Sequence, residues 1–336
     1  MMRSTTRQRR WILILLFIPS LILGWIFVIP LFRNVDENFV VPPTESENNN
    51  NFTVMTINVG NSDPRCLPYT LKLCRKDVEE RITENIMSIH PDVVALQETL
   101  PNSTCEAVPP TDAENVCAIE SEKTQIRRLL GSEYTIVCET RNHYECIAVR
   151  SDVGEIVGCG LGELCETDRI DEKLEGCRLT TTVMAATVLV KERVFDIVNA
   201  HPENRSTVCR EYSLRQIFEG EGGAGDLIQE ADVLILGDLN LDAWREDNVS
   251  TRYWNQHVGS IGTREYYYHS GIAENDPPYF TFQYPFFRRT YDHIISNFLD
   301  GTTVVLGESP GTSRMDGGRG MDHAAVYGQL SFPNGR

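Results

Sequence analysis

Several short stretches of this chain end an apolar run with an acid, an amide or an imidazole, the side chains that bind hard metal ions and move protons. The most informative is Val233-Leu-Ile-Leu-Gly-Asp238-Leu-Asn240, where a strand-like run delivers a glycine, a carboxylate and an amide together. Open α/β sheets place their chemistry at such strand ends. Comparable settings hold Asn58 after Val54-Met-Thr-Ile, Glu98 after Asp92-Val-Val-Ala-Leu-Gln, His201 after Phe195-Asp-Ile-Val-Asn-Ala, and Asp322-His323 before Ala324-Ala-Val-Tyr-Gly-Gln-Leu330. Alone, each is an ordinary feature, since a strand-end acid is usually just exposed. Together they describe one metal-assisted site.

The elements that must position these groups follow from apolar periodicity and turn residues. Strands are expected at 54–59, 92–97, 134–139, 145–150, 180–191, 194–200, 233–237, 290–296, 302–307 and 324–332. Helices are expected at 77–89, 120–130, 211–219 and 251–258. The runs flanking Lys191-Glu-Arg193 read as a hairpin, so antiparallel pairing mixes with helical crossovers and the sheets are mixed. With no second linker or internal repeat after Phe52, residues 52–336 read as one domain.

The order Asn58, Leu96-Gln-Glu98, His201, Gly237-Asp238-Leu-Asn240, Tyr291-Asp292 and Asp322-His323 resembles the endonuclease/exonuclease/phosphatase superfamily. That group includes pancreatic-type deoxyribonuclease, abasic-site endonucleases, neutral sphingomyelinases and inositol-polyphosphate 5-phosphatases. The resemblance spans Phe52 to about Phe332 and implies an α/β four-layer sandwich: two packed mixed β-sheets flanked by helices. It implies hydrolysis of a phosphoester by water. Such a reaction needs an activated water, neutralised phosphoryl charge and a proton or cation for the leaving oxygen.

Glu98 is a hard oxygen ligand suited to Mg2+, with Mn2+ or Ca2+ as alternatives of the same class. By resemblance, Asn58 and Asp322 help hold the metal or its waters. His323 takes or supplies a proton at the scissile phosphate, and Asp292 orients it. Asp238 and Asn240, two apart on a segment expected to be extended, can point to one side, where the resemblance implies that they position the attacking water and bind phosphoryl oxygens. His201 would contact the phosphate or serve as the partner acid. A histidine there resembles the deoxyribonuclease and sphingomyelinase branches. His293, adjacent to Asp292, alternates to the opposite face and is read as structural. Met321 stands where the family usually has serine.

Ahead of the domain, the uncharged stretch from Trp11 to Phe32 is long enough, at about 1.5 Å per residue, to cross ~30 Å of hydrocarbon. Arg3, Arg7, Arg9 and Arg10 precede it, so the positive-inside rule leaves residues 1–10 as a cytoplasmic tail. Residues 11–33 then read as a transmembrane signal anchor and 34–51, rich in Asn, Glu, Pro and Thr, as a flexible linker. A cleaved secretory signal is the alternative. Either places the domain outside the cytoplasm or in a lumen.

Ten cysteines agree with that compartment as a disulfide framework. Cys66 with Cys74, Cys105 with Cys117 and Cys138 with Cys146 are plausible local pairs, although spacing does not fix connectivity. The run Cys159-x5-Cys165-x11-Cys177 does not match zinc knuckles. Asn51, Asn102, Asn204 and Asn248 open glycosylation sequons, and a glycan on Asn204 would crowd a site built around His201.

A net charge of −17 argues against a broad basic groove for polyanions. A nuclease reading therefore calls on metal and local cations, for which Arg288, Arg289, Arg314 and Arg319 flank the Asp292 and Asp322 motifs. A lipid phosphodiesterase reading draws on the membrane anchor, with Phe280, Phe282, Tyr284, Phe286 and Phe287 either as an interfacial loop or, the preferred reading, as core aromatics. Phosphomonoester hydrolysis is a further alternative. A catalytically silent extracellular binding module of the same fold would be expected to have lost one of the site residues, and all are present.

Overall fold

Apolar runs with little polar alternation mark strands covered on both faces, and the chain builds two sheets of that kind. The computed structural model describes residues 39–40, 50–60, 75–100, 105, 115–119, 123–140, 145–178, 181–220, 227–269, 279–284, 287–309, 311–317 and 321–333. The expected tail and transmembrane anchor lie outside the described residues. Among those described, no helix is long and apolar enough to cross a membrane. In the expected linker, Phe39 packs against the core and the Val40 N–H donates to Ser313 Oγ at 3.2 Å, so this part of the linker is docked.

In chain order the strands are β1 (Asn51–Asn58), β2 (Val93–Gln97), β3 (Tyr134–Glu139), β4 (Cys146–Arg150), β5 (Gly154–Ile156), β6 (Leu164–Thr167), β7 (Val183–Val190) and β8 (Arg193–Ala200). They continue with β9 (Val233–Asp238), β10 (Val258–Gly259), β11 (Tyr266–Tyr268), β12 (Phe282–Tyr284), β13 (Phe287–Arg289), β14 (Asp292–Ser296), β15 (Asp300–Val305) and β16 (Val326–Ser331). The α-helices are α1 (Lys76–Ile89), α2 (Gln125–Leu130), α3 (Thr207–Phe218) and α4 (Val249–His257).

Sheet one runs β15-β16-β1-β2-β4-β3-β6 and sheet two runs β10-β11-β14-β9-β8-β7-β5, while β12 and β13 form a separate hairpin. Both sheets are mixed, with β1 parallel to β2 and β8 parallel to β9 amid antiparallel neighbours.

Three apolar clusters make the layers. Phe52, Val54, Ala95, Ile147, Ala186, Ile197, Leu236 and Ile294 fill the space between the sheets. On the outer face of sheet one, Val78, Ile82, Ile86 and Ile89, spaced along one side of α1, pack with Leu129 and Leu130 of α2. On the outer face of sheet two, Leu214 and Ile217 of α3 pack with Tyr253 and Trp254 of α4. The result is the expected helix–sheet–sheet–helix sandwich.

The β7–β8 hairpin forms as expected, turning through Lys191 and Glu192 at φ 48° and 65°, the left-handed pair that a tight two-residue hairpin demands. Some boundaries differ from expectation. The helix expected at 211–219 starts at Thr207, because the Ser206 side chain caps it by accepting from the Cys209 N–H. The helix expected from 120 starts at Gln125, after Thr124 caps it. Strands β5, β6 and β10 to β13 were not anticipated, being too short to show a period.

Disulfides join Cys105 to Cys117 and Cys138 to Cys146, as the local spacing suggested. Cys159 pairs with Cys165 and Cys177 with Cys209, and among the described residues no cysteine is free. Cys66 and Cys74 lie outside the described residues.

Candidate active site

Strand direction brings the singled-out residues to one edge. The carboxyl ends of β1, β2, β8 and β9 and the amino end of antiparallel β14 meet there. Asn58, Glu98, His201, Asp238, Asn240, Asp322 and His323 all line one cleft of about 510 Å3, and Asp292 lies behind His323.

Backbone constraints set the geometry. Gly237, at φ 139°, lies against the backbone of Ala200; a Cβ there would sit 2.2 Å from the Ala200 carbonyl oxygen. Glycine thus lets the end of β9 lie against the end of β8, bringing Asp238 beside His201. Glu98 holds φ at 56°, an unusual conformation for this residue type that costs about 1 kcal/mol or more. Asn240 corrects the expected extended segment. At φ 51° it closes a turn in which its N–H donates to Asp238 Oδ1 at 2.9 Å, while its side-chain Nδ2 donates to the Pro202 carbonyl at 3.2 Å.

Asp238 is the hub. Its Oδ2 accepts from Asn58 Nδ2 at 3.0 Å and lies 3.6 Å from His323 Nε2 and 3.9 Å from His201 Nε2. Each imidazole is backed by a carboxylate: His323 Nδ1 lies 2.8 Å from Asp292 Oδ2 and His201 Nδ1 lies 2.8 Å from Glu145 Oε1. Asp238 and Asp292 are direct cross-strand partners in the β9–β14 ladder. Two buried carboxylates side by side repel, and the imidazole between them relieves that repulsion.

The protonation balance follows. Burial alone would push Asp238 up, but His323 and His201 hold it below the usual aspartate value. Asp292 is pushed up to about 6, chiefly by burial. Burial would lower both histidines; Asp292 and Asp238 instead raise His323 to about 10, and the Glu145 hydrogen bond and charge raise His201 to about 9. Glu145 itself is raised to about 7 by complete burial. Both rings are therefore favoured as imidazolium at neutral pH, around an ionised Asp238.

Glu145 is the functional candidate that sequence reasoning passed over. It has the same signature, a polar residue at the end of the apolar strand Cys146-Ile-Ala-Val149, but its histidine lies 56 residues away. Beneath the cleft a second unforeseen network joins the sheets. Gln97 Nε2 donates to Thr56 Oγ1 at 3.0 Å and to Asn199 Oδ1 at 2.7 Å, and Asn199 Nδ2 donates to the carbonyls of Leu96 and Cys146.

Oxygen donors for a hard cation line the same cleft. Glu98 lines the cleft, its Oε1 accepting from Asn58 Nδ2 at 3.3 Å, and half-buried Asp322 lines it as well. Asn58 Oδ1 accepts from the Gly60 N–H at 2.8 Å, so Asn58 turns its amide nitrogen toward the two acids. Carboxylates Glu98 and Asp322 are the donor set Mg2+ prefers, few and oxygen-only. Ligand atoms of Asp238, Asp292 and His323 also lie within 4.8 Å of one another. There, however, His323 Nδ1 is engaged by Asp292, an arrangement suited to handling a proton.

His293 faces away as expected, bonded to the Leu241 carbonyl and stacked near Trp244. The cations expected at the rim are elsewhere. Arg314 is buried, bonded to Asp316 and to the carbonyls of Met321 and His323, where it braces the Asp322-His323 segment. Arg288 lies over the Phe280 ring, Arg289 lies 3.8 Å from Glu246, and Arg319 is outside the described residues.

The preferred core reading of the aromatics is also corrected. Phe280 and Phe282 are only half-buried, and Phe282 forms cleft wall, its ring 4.9 Å from His323 and 5.3 Å from Tyr291. The side chains of Tyr284, Phe286 and Phe287 are outside the described residues. Exposed Asn204 lines the cleft too. Asn248 instead caps α4, with its Nδ2 bonded to Glu246.

A sequence profile described as "Endonuclease/Exonuclease/phosphatase family" matches residues 55–311. Among solved structures, D. rerio TDP2 complexed with single strand DNA product is similar at 16% identity and a TM-score of 0.53, covering 84% of this chain and 99% of that one. A protein from Enterococcus faecalis is similar at 13% and 0.53 (84% and 100%), and the human Nocturnin catalytic domain with bound sulfate at 16% and 0.50 (84% and 94%). At these identities the likeness carries the fold. No curated protein sequence gives a significant match.

Proposed function

Because the chain belongs to the endonuclease/exonuclease/phosphatase family, whose members hydrolyse phosphoesters, we propose that it is a metal-dependent phosphodiesterase. Its chemistry is that of the nuclease and sphingomyelinase branches, and residues 52–336 form the catalytic domain. The observation that carries this reading is the convergence of two carboxylate-backed imidazoles on one oxygen of Asp238, at 3.6 and 3.9 Å.

Ionised Asp238 orients the attacking water and draws its proton. Asn240, turned back onto Asp238, helps position that water. His323, oriented by Asp292, and His201, oriented by Glu145, act as imidazolium donors, one stabilising the phosphoryl oxygens and the other protonating the leaving oxygen. Mg2+, or Mn2+ or Ca2+ in its place, held by Glu98 and Asp322 with Asn58 bracing Glu98, would supply neutralisation of phosphoryl charge.

An amino-terminal anchor over residues 11–33, joined by linker 34–51, would hold the domain at a membrane outside the cytoplasm or in a lumen. The four disulfides of the described residues support an oxidising compartment.

The test is Mg2+-dependent hydrolysis of bis(p-nitrophenyl) phosphate, DNA and sphingomyelin by purified protein, with EDTA and Glu98→Gln as controls. Turnover that both controls abolish supports the reading. A folded protein inert on all three favours the silent binding module or phosphomonoester hydrolysis instead.

A further inference from the structure

The cleft has one feature that the hydrolytic machinery does not use, a group of three arginines on its His201 flank. Arg178, Arg205 and Arg210 all line it. They come from two segments that are fastened together at three levels. The Cys177–Cys209 disulfide joins the neighbour of Arg178 to the neighbour of Arg210. Buried Glu203 accepts from the Arg178 N–H at 3.0 Å and from the Arg205 N–H at 3.1 Å, one on each carboxylate oxygen. Arg210, itself buried, donates from Nε to Ser250 Oγ at 2.9 Å and from Nη1 to the Glu203 carbonyl at 3.1 Å.

The Glu203 carboxylate holds Arg178 and Arg205 by their backbones and leaves those two side chains to the cleft, whereas Arg210 commits guanidinium nitrogens Nε and Nη1 to Ser250 and the Glu203 carbonyl and anchors the cluster from beneath. Arg205 is exposed, and its guanidinium makes no hydrogen bond or ion pair among the described residues. Among the described residues, the Arg178 guanidinium has only Glu203, at 3.8 Å. In a chain of net charge −17, such a preorganised cationic cluster is a local exception. Glu246 also lines the cleft, accepting from the Tyr291 hydroxyl and Asn248 Nδ2, and its charge acts on buried Arg210, so the charge the cluster offers to a ligand is chiefly that of Arg178 and Arg205. On the His323 flank the wall is aromatic, formed by Phe282 and Tyr291.

We propose that Arg178, Arg205 and Arg210 form a second phosphate subsite beside the scissile position, so that the substrate is a phosphodiester carrying a further phosphate on the His201 side and a flat group on the His323 side. Nucleotide chemistry meets both demands, since guanidinium forks match phosphate oxygens and rings stack on aromatic side chains. A choline headgroup is cationic and meets like charge on the arginine flank. The inference rests on the phosphodiesterase reading for the scissile position and narrows its substrate class.

Binding separates the two claims. Dissociation constants are measured for three phosphorothioate compounds resistant to hydrolysis: a plain dinucleotide, the same dinucleotide with a terminal phosphate, and a trinucleotide. The wild-type protein is expected to bind at least one of the last two about 10-fold more tightly than the first, and Arg178→Gln/Arg205→Gln to lose that preference. The tighter of the two identifies the source as a terminal phosphate or the next phosphate of a strand. Equal affinities for all three, or a preference that survives the double substitution, would overturn the subsite even if hydrolysis is observed. A preserved preference without any hydrolysis would leave the subsite standing and count against the phosphodiesterase instead.

Discussion

The two carboxylate–imidazole pairs around Asp238 have matching geometry, 2.8 Å in each, but are assembled in opposite senses. On one flank the histidine precedes a strand of sheet one, His323 before β16, and its acid, Asp292, stands on β14 of sheet two. On the other the histidine follows a strand of sheet two, His201 after β8, and its acid, Glu145, heads β4 of sheet one. Each pair is therefore a hydrogen bond between the two sheets, and together they pin the sandwich at the cleft. The site's geometry is thus a property of how the sheets pack. Packed interiors hold discrete arrangements and do not deform freely.

The comparison yields an ordered set of expectations. Asp238→Ala removes the group both flanks share and should give the largest loss of turnover, greater than either histidine substitution. His323→Ala should lower kcat by about 10²-fold or more, the usual range for a general acid–base group; near-normal kcat would take His323 out of the mechanism. Glu145→Gln leaves His201 in place but removes its charged partner, and about 10- to 100-fold is expected for such a supporting contact. If Glu145→Gln changed turnover no more than a surface substitution, the two flanks would not be equivalent.

Stability provides a smaller and independent contrast. Both histidines are raised on folding, so their contribution is fully present below about pH 6.5. It is lost as pH rises through about 9 for His201 and about 10 for His323. In EDTA, the urea midpoint should fall between pH 7 and pH 10, and His201→Gln or His323→Gln should shrink that fall. An unchanged pH dependence in both variants would contradict imidazolium pairing. Gly237→Ala, whose Cβ would meet the Ala200 carbonyl at 2.2 Å, should cost about 1–3 kcal/mol by overpacking, read from the same unfolding curves.

The two flanks also differ in how far they could be read beforehand. His323 and Gly237-Asp238-Leu-Asn240 stand where apolar runs meet polar residues, so local pattern marks them, while Asp292 is picked out by the order of motifs that resembles the family's. Glu145 carries the same local mark but acquires meaning only when the sheets pack and bring it to His201. The arginine cluster was hidden for a related reason: it depends on the Cys177–Cys209 bond, and spacing cannot select one pairing among many. Arg314 misled in the opposite direction, since a charge beside a motif reads as a rim cation until burial shows it bonded to backbone carbonyls. Asn240 looked extended because alternation was carried two residues past the strand, where the chain had already turned.

The most direct test is kcat/KM for Mg2+-dependent phosphodiester hydrolysis by wild type, His201→Ala, His323→Ala and the double variant, with folding checked by circular dichroism. If the flanks serve one reaction at Asp238, both single substitutions are strongly impaired and the double is little worse than the poorer single, as groups acting as a unit behave. Fully multiplicative losses, or a single variant with wild-type turnover, would show that the two imidazoles do not work together on one phosphate.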